Sequence, residues 1–295
     1  MTTATPTKDQ RIRLRDGRWL GYAEYGDPAG MPVISLHGNP GSRLTHYPDD
    51  TVARALGARI IAVERPGFGL STFQRGRRLV DHAADVAALA DALGVARFAV
   101  MGGSGGGPYA AACAWCLPAR VTRLALLSSV APYAAPGVTT GMARQNRRSF
   151  LAARYLPWPL LRAAYDLQAR LLTRDPALLI EQLSRILPQP DLAALALPEV
   201  HAMTAMSVRE AFRQGGRGMA WDGVLLARPW GFRLGEIAVP TALWHGERDV
   251  LAPIAMGRYL AAAIPNCRAT FLPAEGHLLL YTHWPEVLAW LLGRG

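Results

Sequence analysis

The chain has almost no lysine: of its 32 basic residues, every one except Lys8 is arginine. It has little cysteine, and Cys113, Cys116 and Cys267 are too few and odd in number for a disulfide framework. No run approaches the roughly 18 uncharged apolar residues of a membrane-spanning helix. The opening MTTATPTKDQ lacks the apolar centre of a signal peptide. With 51% hydrophobic and 18% charged residues the composition is that of a globular protein, expected in the cytoplasm.

The net charge of +10 raises nucleic acid as a partner, but the arginines are scattered. The densest spots, RGRR (75–78) and RQNRR (144–148), are not interleaved with aromatics on a nucleic-acid module, so no nucleic-acid partner is expected. An anionic group on a small substrate stays open. Cys113 and Cys116 form CAWC inside a predicted helix, away from the N-terminal end that would lower a thiol pKa, and read as buried hydrophobes.

What the 295 residues do contain is alternation. QRIRLRDGRWLGYAEYG (10–26) predicts a hairpin around Asp16-Gly17. MPVISLHG (31–38), ARIIAVERPG (58–67), ARFAVMGGS (96–104) and RVTRLALLSSV (120–130) read as strands, with helices over 81–94 and after Pro108. From about 134 to 235 the chain is helical with Pro-rich joints (LPWPLL, LPQPDL, ALPEV) and shows no clear strand. Alternation resumes with VPTALWHGERD (239–249), a helix near 254–264, CRATFLPAEGH (267–277) and a last helix near 284–293. The pattern predicts a mainly parallel sheet with helices on both faces, interrupted by a helical segment.

VMGGSGGGPYAAA (100–112) places five glycines around Ser104 at a strand–helix junction. A phosphate loop would need a Lys-Ser/Thr pair, and a dinucleotide fingerprint starting at Gly103 would need glycine where Pro108 stands. Gly102-Gly103-Ser104-Gly105-Gly106 does satisfy G-x-S-x-G, the nucleophile elbow. The tight turn requires small residues flanking the serine and leaves the Gly105 N–H at a helix start, able to donate to an oxyanion. A serine hydroxyl needs a base held by a carboxylate, in the chain order Ser, Asp or Glu, His. Asp249 and His277 each follow a predicted strand at its carboxyl end and are the candidates, with Glu247 and Glu275 as weaker acids. His46, His82, His201, His245 and His283 fit less well. The Asn39 N–H, in HGNPGS (37–42) after the third strand, is the second oxyanion donor, with His37 bracing that loop.

In order and at family-like intervals, HGNPGS, ERPGFGLS (64–71), GGSGGGPYA (102–110), WHGERD (244–249) and EGH (275–277) resemble the α/β-hydrolase superfamily over essentially the full length. The resemblance implies an α/β-hydrolase fold: an eight-stranded, mostly parallel sheet with helices on both faces and a helical cap inserted after the sixth strand. The core would be 1–133 and 236–295, and the cap 134–235. HGNPG is similar to the loop of proline iminopeptidases and their esterase relatives. Epoxide hydrolases and haloalkane dehalogenases of the superfamily carry Asp where Ser104 stands, so neither chemistry is expected.

The cap would supply the substrate pocket. Trp158, Trp221, Met203 and Met206 are the candidate lining residues, with Phe150, Tyr155, Trp230 and Met219 beside them. Residues 134–235 carry thirteen arginines against seven acids. GGRG (215–218) reads as a flexible joint. The expectation is a hydrolase with no cofactor or metal, cleaving a small hydrophobic carboxylic ester or a lactone. Alternatives are a proline-iminopeptidase-type aminopeptidase using Glu199, Glu210 or Asp222 to bind an amine, a biosynthetic hydrolase with one dedicated ester or thioester, a perhydrolase, and a ligand receptor.

Overall fold

The computed structural model describes residues 8–45 and 50–294, so His46 and the extreme N-terminus fall outside the described residues. Strands β1 (Gln10–Arg13) and β2 (Trp19–Gly26) form an antiparallel hairpin, with Gly17 in the turn at φ +85°. β3 (Met31–Leu36), β4 (Ala58–Val63), β5 (Phe98–Gly103), β6 (Val121–Leu127), β7 (Thr241–Gly246) and β8 (Cys267–Leu272) run parallel. The order across the eight-stranded sheet is β1-β2-β4-β3-β5-β6-β7-β8.

Alternate residues of each strand feed two separate cores, as the period of two requires. Ile34, Leu36, Ile61, Val63, Val100, Leu124 and Leu243 face one side. There they pack under α2 (His82–Ala92), α3 (Gly107–Cys116) and α10 (Ile254–Ala263). Val33, Ile60, Ala99, Met101, Ala125 and Trp244 face the other side, under α1 (Thr51–Ala55) and α11 (Leu280–Leu291). Burial on both faces explains why the strands read as continuous apolar runs. α11 begins near 280, a turn earlier than the sequence suggests, and carries Pro285 inside it.

Six helices lie between β6 and β7: α4 (Arg144–Tyr155), α5 (Trp158–Arg174), α6 (Ala177–Ser184), α7 (Gln189–Leu195), α8 (Pro198–Ala211) and α9 (Arg217–Leu226). Their joints are prolines at helix starts: Pro157, Pro176 and Pro188 precede α5, α6 and α7, and Pro198 opens α8. Proline suits that position because the first N–H groups of a helix have no intrahelical acceptor.

The sheet reverses its direction of growth between β3 and β5, since β4 lies on one side of β3 and β5 on the other. The loops leaving the carboxyl ends of these two strands therefore diverge over a crevice, where open α/β sheets place their ligands.

Candidate active site

β5 ends at Gly103, and Ser104 follows at φ +51°, one of three non-glycine residues with positive φ among those described. A tight turn over Ser104–Gly106 leads directly into α3. A Cβ at Gly102 would fall on the Gly106 carbonyl, and one at Gly106 on the Leu36 carbonyl at the end of β3. The two glycines thus let the turn pass close to its own strand and to the neighbouring one. The strained φ at Ser104 costs on the order of 1–3 kcal/mol, and the packing on both sides holds it in place.

His277 follows β8, and its Nδ1–H donates to Asp249 Oδ2 at 2.7 Å. Asp249 is 3% exposed, and its Oδ1 accepts the N–H groups of Leu251 (2.8 Å) and Ala252 (2.9 Å). The turn thereby fixes one oxygen and leaves the other for the imidazole. An ionised carboxylate only accepts, so Nδ1 carries the proton and Nε2 keeps its lone pair. Burial would push the His277 pKa down, but the Asp249 charge and hydrogen bond more than offset it, and Asp191 adds in the same direction, so the pKa is raised. His245, beneath the pair, donates Nε2–H to Ala252 O at 2.6 Å and is held below its ordinary pKa chiefly by burial.

The 37–42 loop stands opposite the elbow, with the Asn39 side chain against Gly105. The Asn39 N–H has no hydrogen-bond partner among the described residues, and Gly105 lies in the first turn before α3, where N–H groups lack intrahelical acceptors. His37 braces the loop as a neutral ring: Nδ1–H donates to Gly38 O at 2.9 Å, and Nε2 accepts the Arg65 N–H at 3.3 Å. Burial first, and the neighbouring Arg65 second, hold its pKa well below the usual imidazole value.

Sequence reasoning missed what grips this loop. Arg65, fully buried, donates to the His37 and Gly38 carbonyls and to Asn39 Oδ1, and pairs with Asp222 Oδ2 at 2.6 Å. Arg77, from the RGRR run, is buried as well and pairs with Asp222 Oδ1, which also accepts the Tyr109 hydroxyl at 2.8 Å. Burial opposes ionisation of Asp222, but the two guanidiniums outweigh it and hold the carboxyl far below the usual range. Asp222 lies on α9, so this buried cluster ties the inserted helices to the loop that faces Ser104. The sequence carried no signal for this cluster: Arg65 follows Glu64 directly, yet its partner, like that of Arg77, is Asp222, 157 and 145 residues further along the chain.

Ser104 lies where two lobes of a cavity meet. One, of about 170 Å³, is lined by Gly105, Phe150, Tyr165, Met219 and Leu226, with Gln145, Gln168 and Gln182 toward the inserted helices. The other, of about 220 Å³, is lined by Gly38, Leu127, Met203, Thr204, His277 and Leu280. Asn39, Pro40, Ser104 and Leu251 border both. Among the described residues no hydrogen bond joins Ser104 to His277, a relation that apo sites often tighten only on binding substrate.

A family model described as the alpha/beta hydrolase fold matches residues 31–283. The chain belongs to the alpha/beta hydrolase fold family. Over 131 residues this α/β hydrolase is 35% identical to a proline iminopeptidase of Xylella fastidiosa, covering 41% of this chain and 40% of that protein. It therefore spans less than half of that relative's length. Over 301 residues it is 28% identical to a 2-hydroxy-6-oxononadienedioate/2-hydroxy-6-oxononatrienedioate hydrolase of Paraburkholderia xenovorans, covering 96% of this chain and 93% of that one. Among solved structures it is similar to the enol-lactonase from Burkholderia xenovorans LB400, with a TM-score of 0.69, 20% identity and coverage of 96% and 100%. The esterase RhEst1 from Rhodococcus gives a TM-score of 0.68 at 22% identity, with coverage of 98% and 100%.

In this α/β hydrolase the residues expected to line the pocket part company. Met203 lines the second lobe. Trp158 and Trp221 line neither lobe; they meet edge to face at 5.1 Å, and Trp221 Nε1–H donates to the Arg77 carbonyl at 3.0 Å, so they pack the inserted helices onto the core. Met206 is 51% exposed and points away. GGRG is a close-packed contact rather than a flexible joint: Gly216 abuts the Tyr165 backbone, and Gly218 touches Gly67.

Proposed function

We propose that this α/β hydrolase is a serine hydrolase of carboxylic esters, acting through Ser104, His277 and Asp249. The observation that carries the reading is Ser104 held at positive φ on a strand–helix turn and lining the same cavity as a His277 already bonded to a buried Asp249. Ser104 Oγ attacks the ester carbonyl while His277 Nε2 takes its proton, and the imidazolium is stabilised by Asp249. The carbonyl oxygen, now an oxyanion, accepts the Asn39 and Gly105 N–H groups; one such donor is worth about 2.7–4 kcal/mol. His277 returns the proton to the departing alcohol, and a water, activated by the same ring, hydrolyses the acyl-enzyme.

The proton route assigns the lobes. The leaving alcohol must sit on the His277 side, in the lobe of Met203 and Leu280, and the acyl group in the lobe of Gly105 and Met219. Residues 134–235 act as a cap that closes both lobes over the sheet. Among the described residues no Arg, Lys, Asp or Glu lines either lobe, which favours an uncharged hydrophobic ester or lactone; Arg144 and Arg148 line a more open neighbouring groove that shares Gln145, Ser149 and Ile186 with the first lobe.

Against the aminopeptidase reading, the acids an amine would need are spent. Asp222 is enclosed by two arginines, Glu210 pairs with Arg43 at 2.5 Å, and Glu199 is exposed and lines neither lobe. Initial rates on p-nitrophenyl esters of increasing acyl length, a set of lactones and proline p-nitroanilide test the reading. Ester or lactone turnover is expected; preference for the prolyl anilide overturns it.

A further inference from the structure

We propose that Asp191 is a positioning residue for His277, gripping its backbone from the inserted helices while Asp249 orients its ring from the sheet. The inference rests on the serine-hydrolase reading above. Asp191 lies on α7, 86 residues before His277, and is 1% exposed. Its Oδ2 accepts the His277 N–H at 2.9 Å, and its Oδ1 accepts the Leu278 N–H at 2.8 Å. A carboxylate spanning two successive amides fixes the peptide plane between them, and with it the direction in which the His277 side chain leaves the backbone. Gly276 completes the fit, because a Cβ there would fall on the Asp191 carboxylate.

A buried carboxylate is an expensive way to satisfy two N–H groups. It has a second effect here, since its negative charge favours the imidazolium that forms when His277 accepts the serine proton. Among the described residues, the titratable groups whose charge acts on His277 are Asp249 after β7, Asp191 on α7 and the buried His245 of β7, and Tyr281 lines the same lobe. Asp249 dominates, and Asp191 adds to it. The base is therefore held from two sides, one of them supplied by the segment that roofs the substrate cavity.

The test combines steady-state rates on a p-nitrophenyl ester with the rate at which a fluorophosphonate labels Ser104. Asp191→Asn keeps the volume but turns an N–H2 toward one of the two donors. The expected result is a fall of roughly 10- to 100-fold in kcat and in labelling rate, the scale of a misplaced catalytic group. KM should stay within about twofold of the wild type, and the acidic limb of kcat/KM should move to lower pH as the imidazolium loses a stabilising charge. Labelling at the wild-type rate, or slower labelling with the limb unmoved, overturns the proposal. Should Asp191→Asn fail to fold, Gly276→Ala decides: its methyl crowds the carboxylate and must slow labelling, and a folded Gly276→Ala at wild-type rate refutes the role. A wild type that takes up no phosphonate contradicts the serine-hydrolase reading itself, and the positioning role falls with it.

Discussion

At the scale of single residues, Ser104, His277 and Asp249 carry the most exposed claims. Ser104→Ala removes the proposed nucleophile and should lower ester turnover by roughly three orders of magnitude or more without unfolding the protein, measured as kcat beside the wild-type melting curve. His277 must be neutral to accept the serine proton, so kcat/KM falls as pH drops through its pKa. Because Asp249 lifts that pKa, the midpoint of the acidic limb should lie above the ordinary 6.5. A limb centred below that value would mean that Asp249 does not control the ring. These three residues were legible in the sequence because each sits at the end of an apolar run in a fixed chain order. Asp191 was not legible: it lies in a Pro-rich joint, and only the fold brings it to His277.

At the scale of elements, the strand ends and the elbow explain the glycine pattern. Gly106→Ala drives a methyl into the Leu36 carbonyl, a backbone neighbour that cannot swing aside. Overpacking of that kind costs about 1–3 kcal/mol, so a lower urea midpoint together with lost activity is expected, and an unchanged midpoint would contradict the close approach. The strands were readable because burial on both faces makes each one a continuous apolar run. α1 and the early start of α11 were not, since α1 is short and Pro285 suggests a helix start where the structure has a helix interior. The lobes make a further element-scale prediction. Met219→Trp should lower kcat/KM for long acyl chains by about tenfold and spare small ones, while Met203→Trp should discriminate among alcohols instead. Rates on a matrix of acyl and alcohol lengths separate the two; the reverse pattern would exchange the lobe assignments.

At the scale of the whole molecule, the inserted helices and the sheet meet through buried charge as well as through the tryptophans Trp158 and Trp221. Arg65, Arg77, Tyr109 and Asp222 form one cluster, and Arg43 joins Glu64 of the core to Glu210 of α8. Part of the strong positive balance is consequently internal, which composition alone cannot reveal. Asp222→Asn leaves two guanidiniums facing one neutral amide, and breaking such a pair costs about 3–5 kcal/mol. A large fall in unfolding free energy is expected, with activity reduced because Arg65 also holds the Asn39 loop. A near-neutral change would show that the cluster does not bind the inserted helices to the core.

The central claim, that Ser104 is a nucleophile activated by His277, is tested most directly by mass. Incubation with a fluorophosphonate, followed by peptide mapping, should place one adduct on the peptide containing Ser104. The adduct should be absent from Ser104→Ala and form far more slowly in His277→Ala. An adduct elsewhere, or labelling of Ser104 at the same rate without His277, would contradict the account.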